Sequence, residues 1–164
     1  RIQYSTQRRN SLGRSLRKAI VVERSDDYAR FWDILTDNLL SKYKKTPVHS
    51  LFEIEKLARL FPDNIHLYVA KNANRRIAGC IVLFVTEEVV HVQYVAATEE
   101  GKKDGTVDRL INFILDSESY AEKKYFDYGI STECGGLVLN ENLINQKEGF
   151  GARATLYDIY EIIL

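Results

Sequence analysis

The stretch from Val89 to Leu115 reads VVHVQYVAATEEGKKDGTVDRLINFIL and predicts a strand, a glycine-bearing loop and a helix. The strand covers residues 89–98, the loop residues 99–106 and the helix residues 107–115. A loop that enters a helix N-terminus points backbone N–H groups at the space in front of it, where a phosphate can bind. Gly101 and Gly105 in the loop fit this motif, which also occurs in many turns that bind nothing. The rest of the chain therefore decides its meaning.

The composition is that of a globular protein with one domain of ordinary size. The chain has 164 residues, of which 45% are apolar and 28% charged, and its formal net charge is zero. This neutral balance argues against a general nucleic-acid binder, so we expect no DNA partner. No apolar run approaches the roughly 18 residues that a membrane span needs. The scattered cysteines and histidines predict no metal site and suit a reducing, cytoplasmic compartment.

The N-terminal segment is basic and contains no acid before Glu23. Leu12, Leu16 and Ala19 have near-helical spacing, which predicts a short helix over residues 8–18. We interpret residues 1–20 as a basic helix or linker that joins the domain over residues 21–164 to a further, N-terminal domain. It would be either a solvated linker or a helix that contacts RNA or another domain. Its basic residues are Arg1, Arg8, Arg9, Arg14, Arg17 and Lys18.

The remaining periodicities predict a mixed sheet. Helices are expected over residues 28–40, 51–61, 107–115 and 137–148, and strands over residues 19–23, 65–70, 77–85, 89–98, 125–131 and 153–164. Residues 65–85 should form an antiparallel hairpin, and residues 107–124 a right-handed crossover between parallel strands. The strand over residues 65–70 alternates as a half-buried strand would, and Gly149 should end the last helix in the left-handed conformation. The fold class is α/β (α+β), with a mostly antiparallel sheet flanked by helices on both faces.

The central strand carries a polar pair. Regular alternation would place Val90, Val92, Tyr94 and Ala96 on one face and the other side chains on the opposite face. His91 and Gln93 would then lie side by side, together with Val95. A half-buried polar pair needs partners, which either the neighbouring strand or a bound ligand could supply.

The order of elements, with a loop and helix after the fourth strand, resembles the GNAT acyltransferase superfamily. Residues 146–151, QKEGFG, are similar to the end of that superfamily's second motif. The span from residue 21 to residue 164 further resembles the C-terminal GNAT domain of bacterial Fem-like proteins, which carry two such domains in tandem. The stretches that carry this resemblance are HSL at 49–51, HVQY at 91–94, FDYGIS at 126–131 and LNENLI at 139–144.

The resemblance implies transfer of an acyl group from acetyl-CoA or another acyl-CoA to an amine. An aminoacyl-tRNA could replace the thioester, and the acceptor could be a small molecule, a peptide, an amino sugar or a cell-wall precursor. The donor would run beside residues 94–97, including Val95 and Ala97, and its pyrophosphate would rest on the loop. The loop positions implied are Gly101, Lys102, Lys103, Gly105 and Thr106. The alternative is a catalytically silent GNAT-like module that binds or supports a second domain.

Two positions depart from the superfamily pattern. Acids at Glu99, Glu100 and Asp104 would repel a pyrophosphate, which favours another donor. Asn145 stands where the superfamily places the tyrosine that protonates the leaving thiolate, and an amide cannot act as that acid. Tyr94 or another tyrosine, Tyr128, could serve instead, or the thiolate could leave unprotonated.

The remaining roles are assigned by chemistry and place. His91 is the first candidate for the general base, since its ordinary pKa suits neutral pH, and Glu133 is the second. Asp127 could orient either of them, while Gln93 and Asn140 could hydrogen-bond the substrate. Arg153 could bind a carboxylate or a phosphate, or form a structural salt bridge.

Overall fold

A computed structural model of the chain describes residues 3–156, 158 and 160–162. Single turns of 3-10 helix lie at residues 118–120 and 134–136. The other elements are α1 (Thr6–Arg17), β1 (Val21–Ser25), α2 (Tyr28–Tyr43), α3 (Leu51–Leu60), β2 (Ile65–Lys71), β3 (Ile77–Val85), β4 (Val89–Ala97), α4 (Glu99–Asp104), α5 (Thr106–Leu115), β5 (Tyr125–Asp127), β6 (Thr132–Glu133), β7 (Val138–Leu139) and α6 (Glu141–Gly149).

The main sheet has the strand order β1-β2-β3-β4-β5. Its first four strands are antiparallel, and β5 runs parallel to β4. The predicted mixed, mostly antiparallel sheet, its central hairpin and its parallel crossover are therefore confirmed. Helices α2 and α3 cover one face, around Phe31, Trp32 and Ile54, and α5 covers the other, around Leu110 and Ile114.

β2 differs from the half-buried strand that its alternation predicts. All its residues from Ile65 to Ala70 are buried. Ile65, Leu67 and Val69 pack toward α2 and α3, while Tyr68 and Ala70 pack toward α5. Two covered faces bury a strand completely, whatever its alternation suggests.

The two helices on the first face begin at the residues that the sequence indicates. Asp27 caps α2, since its side chain accepts a hydrogen bond from the N–H of Arg30. Ser50 caps α3 in a capping box with Glu53. α3 ends at Leu60, and Pro62 prevents its continuation.

The loop predicted over residues 99–106 is wrong, because most of it is helical. Thr98 caps α4 by accepting a hydrogen bond from the N–H of Gly101. Gly105, in the left-handed conformation with φ of 81°, separates α4 from α5. The strand, therefore, passes directly into a short helix, a glycine bend and a second helix.

The C-terminal part contains further corrections. The strand predicted over residues 125–131 ends at Asp127, and a small hairpin of β6 and β7 follows. α6 starts at Glu141 and includes Gly149, so the left-handed glycine after it is Gly151. No strand forms over residues 153–156, 158 and 160–162, while residues 157, 159, 163 and 164 of that predicted strand lie outside the described residues.

Helix α1 packs against the domain through a small polar face. Ser11 and Ser15 are buried, whereas Leu16 is exposed. Ser11 and Arg8 both bond the buried carboxylate of Asp108 in α5. The interpretation of residues 1–20 as a linker to another domain stays a prediction. Within the described residues, no helix is both long and apolar enough to cross a membrane.

Candidate active site

β4 and β5 pair over three residues only and then separate. The parallel ladder joins Val89 to Tyr125, Val90 to Phe126 and His91 to Asp127. β4 continues for six more residues to Ala97, and no described strand pairs with it on that side. The two strands thus form a fork, which leaves one edge of β4 available to a ligand.

A bulge in β4 lies at the mouth of this fork. Val82 pairs with Tyr94 while Leu83 pairs with Val92, so Gln93 is the extra residue. Val92 therefore packs toward α5, whereas Tyr94 packs toward α2 and α3. The regular alternation predicted for the central strand is wrong beyond Val92 because the bulge reverses the faces.

The bulge also decides which backbone groups of β4 face the fork. The N–H of Thr98 bonds the carbonyl of Ala78 in the β3 direction. Because hydrogen bonding alternates along an antiparallel ladder, Tyr94 and Ala96 bond β3, and Val95 and Ala97 point the other way. The Asn38 side chain donates to the outward carbonyl of Ala97 at 3.0 Å. The N–H of Val95 is therefore directed into the open side of the fork.

The last pair of the parallel ladder is a histidine and a carboxylate. Nδ1 of His91 lies 2.7 Å from Oδ2 of Asp127, and the N–H of Gly129 donates to Oδ1 of Asp127 at 2.8 Å. Burial works to raise the pKa of Asp127, but the bonds from Gly129 and His91 outweigh it and lower that pKa below its ordinary value. An ionised Asp127 favours the tautomer of His91 with Nδ1 protonated, which leaves Nε2 able to accept a proton.

Tyr94 has a partner that the sequence analysis missed. Its hydroxyl lies 2.7 Å from Nδ1 of His49 and accepts a hydrogen bond from the backbone N–H of His49 at 3.3 Å. Trp32 packs edge-on against the Tyr94 ring, with 5.4 Å between centroids. Forty-five positions separate His49 from Tyr94, and no local pattern in the sequence indicates the contact.

The other candidate side chains make no described hydrogen bond to His91 or Asp127. Glu133, exposed in the small hairpin, accepts a hydrogen bond from the Asn140 side chain at 2.6 Å, and Asn140 also caps α6. Gln93 is half-buried at the bulge. Arg153 is exposed and donates to the carbonyl of Ala152. Tyr128 stacks on Phe150, and burial raises its pKa.

The predicted phosphate loop is largely covered. Gly101, Gly105 and Thr106 are buried, and the N–H groups of both glycines are bonded within the protein. The Thr106 hydroxyl has no hydrogen-bond partner among the described residues. Lys103 is exposed, while Lys102 forms an ion pair with Glu99. The N–H groups of Gly101 and Gly105 are therefore already used within the protein, and cofactor binding by the predicted loop residues stays a prediction.

A polar groove of about 670 Å³ lies beside the start of α5. It is bounded by α1, by α6 and by Lys102 and Val107. Its cationic side chains are those of Arg8, Arg14 and Lys102, and its one acid is Asp108. Burial raises the pKa of Asp108, against the effect of its bonds to Ser11 and Arg8. The groove therefore brings three cationic side chains to the start of α5.

The chain shares its fold with solved acetyltransferases. A structure named a possible acetyltransferase, from Clostridium difficile 630, has a TM-score of 0.66 at 14% identity and covers 88% of this chain and 97% of that chain. An acetyltransferase from Trypanosoma brucei has a TM-score of 0.61 at 15% identity, over 88% and 99% of the two chains. An aminoglycoside acetyltransferase from an uncultured soil metagenomic sample, in complex with sisomicin, has a TM-score of 0.60 at 14% identity, over 88% and 97%.

No protein-family model and no curated protein matches the sequence. At 14–15% sequence identity, these structural matches establish the fold alone, and the activity has to be argued from the site. The mixed sheet with flanking helices and the matches to solved acetyltransferases together lead to one conclusion: the chain has the GNAT acetyltransferase fold.

Proposed function

We propose that this chain is an N-acyltransferase that moves an acyl group from an acyl-CoA thioester to an amine. The observation that carries the proposal is the fork after His91 and Asp127, where an open strand edge lies next to an oriented imidazole. The bulge at Gln93 turns the N–H of Val95 toward that fork. A thioester on this edge would meet the N–H of Val95, and the imidazole of His91 lies at the start of the same fork.

The reaction needs three groups from the chain. Nε2 of His91 accepts the proton of the attacking amine, while Asp127 stabilises the imidazolium through Nδ1. The N–H of Val95 donates to the carbonyl oxygen as negative charge develops on it. A C–N bond forms, the C–S bond breaks, and the hydroxyl of Tyr94 is our candidate to protonate the leaving thiolate.

The anionic end of the donor would lie in the groove beside α5. Arg14 and Lys102 supply positive charge there, and Arg8 is held in place by its ion pair with Asp108. Arg14 is exposed and therefore able to turn toward a phosphate. Electrostatic attraction in this groove would replace the loop amides used in the phosphate-binding motif.

The finer assignments extend the same proposal. The acceptor we propose is a small-molecule or peptide amine, in line with an aminoglycoside acetyltransferase of the same fold. An aminoacyl-tRNA donor, a cell-wall acceptor and a second, Fem-like domain follow from the sequence resemblance alone. A comparison of acetyl-CoA with aminoacyl-tRNA as donors would separate these alternatives.

A catalytically silent module is the second candidate, because α1 covers the loop. Ser11 packs closely enough on Gly105 to leave no room for a Cβ there, and the carboxylate of Asp108 lies in the first turn of α5. A negative charge at that helix end opposes phosphate binding. On this alternative, neither an acyl-CoA nor an aminoacyl-tRNA would bind.

The decisive experiment tests the backbone donor of β4. Val95→Pro removes the N–H that faces the fork, and it breaks no bond to β3 because Val95 points away from that strand. With acetyl-CoA and a panel of amines, we expect kcat to fall about 10²-fold or more, as for loss of one oxyanion donor. Val95→Ala is the matched control and should retain turnover.

Calorimetric titration of the wild-type chain with acetyl-CoA accompanies that assay. Saturable binding that weakens in Arg14→Glu and Lys102→Glu supports the donor groove. Absence of binding, together with absence of turnover with every donor, would overturn the enzyme proposal in favour of the silent module.

A further inference from the structure

Lys147 in α6 is a half-buried cation whose partners are backbone carbonyls. Its ammonium donates to the carbonyl of Gly129 at 2.9 Å and to that of Ile130 at 2.5 Å. These two residues follow β5 at the open end of the fork. Burial lowers the pKa of Lys147, and the nearby charge of Asp127 acts in the opposite direction. A half-buried cation in such a place needs a structural or functional reason.

The carbonyls that Lys147 holds belong to the same turn that contacts Asp127. Gly129 has a φ of 72°, a conformation that favours glycine. In this conformation its N–H reaches Oδ1 of Asp127 at 2.8 Å, and Oδ2 of Asp127 reaches Nδ1 of His91 at 2.7 Å. A continuous line of hydrogen bonds and backbone therefore joins the α6 ammonium to the imidazole.

We propose that Lys147 is a positioning residue for the His91–Asp127 pair. By holding residues 129 and 130, it keeps the Gly129 N–H on Asp127, and Asp127 then fixes His91 with Nδ1 protonated and Nε2 free. A catalytic use of this arrangement rests on the proposed acyl transfer. The arrangement itself is measurable without any substrate.

A purely structural role makes a different prediction. If Lys147 only fastens α6 to the turn, its loss lowers stability and leaves the tautomer of His91 unchanged. If it positions the pair, its loss frees the turn, so that Asp127 no longer enforces one tautomer. The protonation pattern of the His91 ring therefore separates the two roles.

Nitrogen-15 NMR of the imidazole rings is the experiment. The chain has only three histidines, His49, His66 and His91, so His91→Ala assigns the signal. In the wild-type protein we expect His91 to carry its proton on Nδ1. In Lys147→Met we expect a mixture of tautomers, and in Asp127→Asn the same change. Lys124→Met, an exposed lysine paired with Glu88, is the control and should leave the spectrum unchanged.

Two results would overturn the proposal. The first is that His91 in the wild-type protein carries its proton mainly on Nε2. This measurement needs no variant, so it is informative even if Lys147→Met does not fold. The second is an unchanged Nδ1 tautomer in folded Lys147→Met or in Lys147→Gln.

Turnover supplies a separate readout. Where acyl transfer is observed, we expect Lys147→Met to lower kcat about tenfold to a hundredfold with little change in the KM of the donor, as for other residues that orient a histidine. A rise in the KM of the donor by about tenfold to a hundredfold, with kcat unchanged, would contradict the positioning role. Absence of turnover in the wild-type protein would count against the proposed function and leave the NMR result to decide the role of Lys147.

Discussion

The hydroxyl of Tyr94 lies 2.7 Å from Nδ1 of His49, so β4 is tied to the segment that precedes α3. If Tyr94 is the acid for the leaving thiolate, Tyr94→Phe should lower kcat about 10²-fold or more, within the range for general acid–base catalysis. His49→Ala keeps the phenol and should cost much less. Steady-state kinetics with acetyl-CoA measure both variants. Equal, small losses in the two would instead assign to Tyr94 only the role of anchoring this segment.

The pairing of His91 with Asp127 predicts a matched pair of kinetic effects. His91→Ala removes the proposed base and should lower kcat/KM by about 10²–10⁴-fold. Asp127→Asn keeps the shape and removes the charge that stabilises the imidazolium, so it should also reduce turnover strongly. Exchange of the exposed Glu133 for Gln should leave the rate nearly unchanged. A large loss in Glu133→Gln with an active His91→Ala would transfer the role of base to Glu133.

Much of the architecture was predictable because it depends on local signals. The capping box at Ser50, the β2–β3 hairpin and the crossover before β5 follow from neighbouring residues, and all are observed. The sequence also indicated His91 as a candidate base and Asp127 as a residue that could orient it. The roles of these residues remain predictions, but their contact is in place.

The missed features depend on contacts between distant segments. Val92, Gln93 and Tyr94 are compatible with regular alternation, and only the pairing with Val82 and Leu83 creates the bulge. In α1, Ser11 is buried whereas Leu16 is exposed, and this follows from the packing of α1 against α5. Neither arrangement leaves a periodic signal, because each is decided by a partner far away in the chain.

The pH dependence of stability should reveal His66. His66 is a buried residue of β2, and its Nδ1 lies 2.6 Å from the hydroxyl of Tyr120. Burial, and then the charge of Arg24, lower the pKa of His66 below its ordinary value of about 6.5. The unfolded chain therefore binds a proton more readily than the folded protein does, and stability is lost as the pH falls below about 6.5.

Chemical denaturation at several pH values between 5 and 8 measures this effect. We expect His66→Gln to flatten the dependence, because it removes the titrating group. His49→Gln, which changes a half-buried histidine elsewhere, should retain it. If the free energy of unfolding of His66→Gln depends on pH as it does in the wild-type protein, other groups cause the acid sensitivity.

The contact between α1 and the bend before α5 predicts a large effect of one methyl group. Gly105 has a φ of 81°, and a Cβ added there would lie 2.4 Å from the carbonyl oxygen of Ser11. Gly105→Ala combines this clash with backbone strain, so it should lower the free energy of unfolding by about 3 kcal/mol or more. Gly135→Ala is the matched control, since its φ is 68° with no atom within 4 Å of the added Cβ. It should cost only about 1–2 kcal/mol, the cost of the conformation alone. Denaturant unfolding of both variants measures the difference. Equal losses in the free energy of unfolding would mean that α1 does not pack closely against this bend in solution.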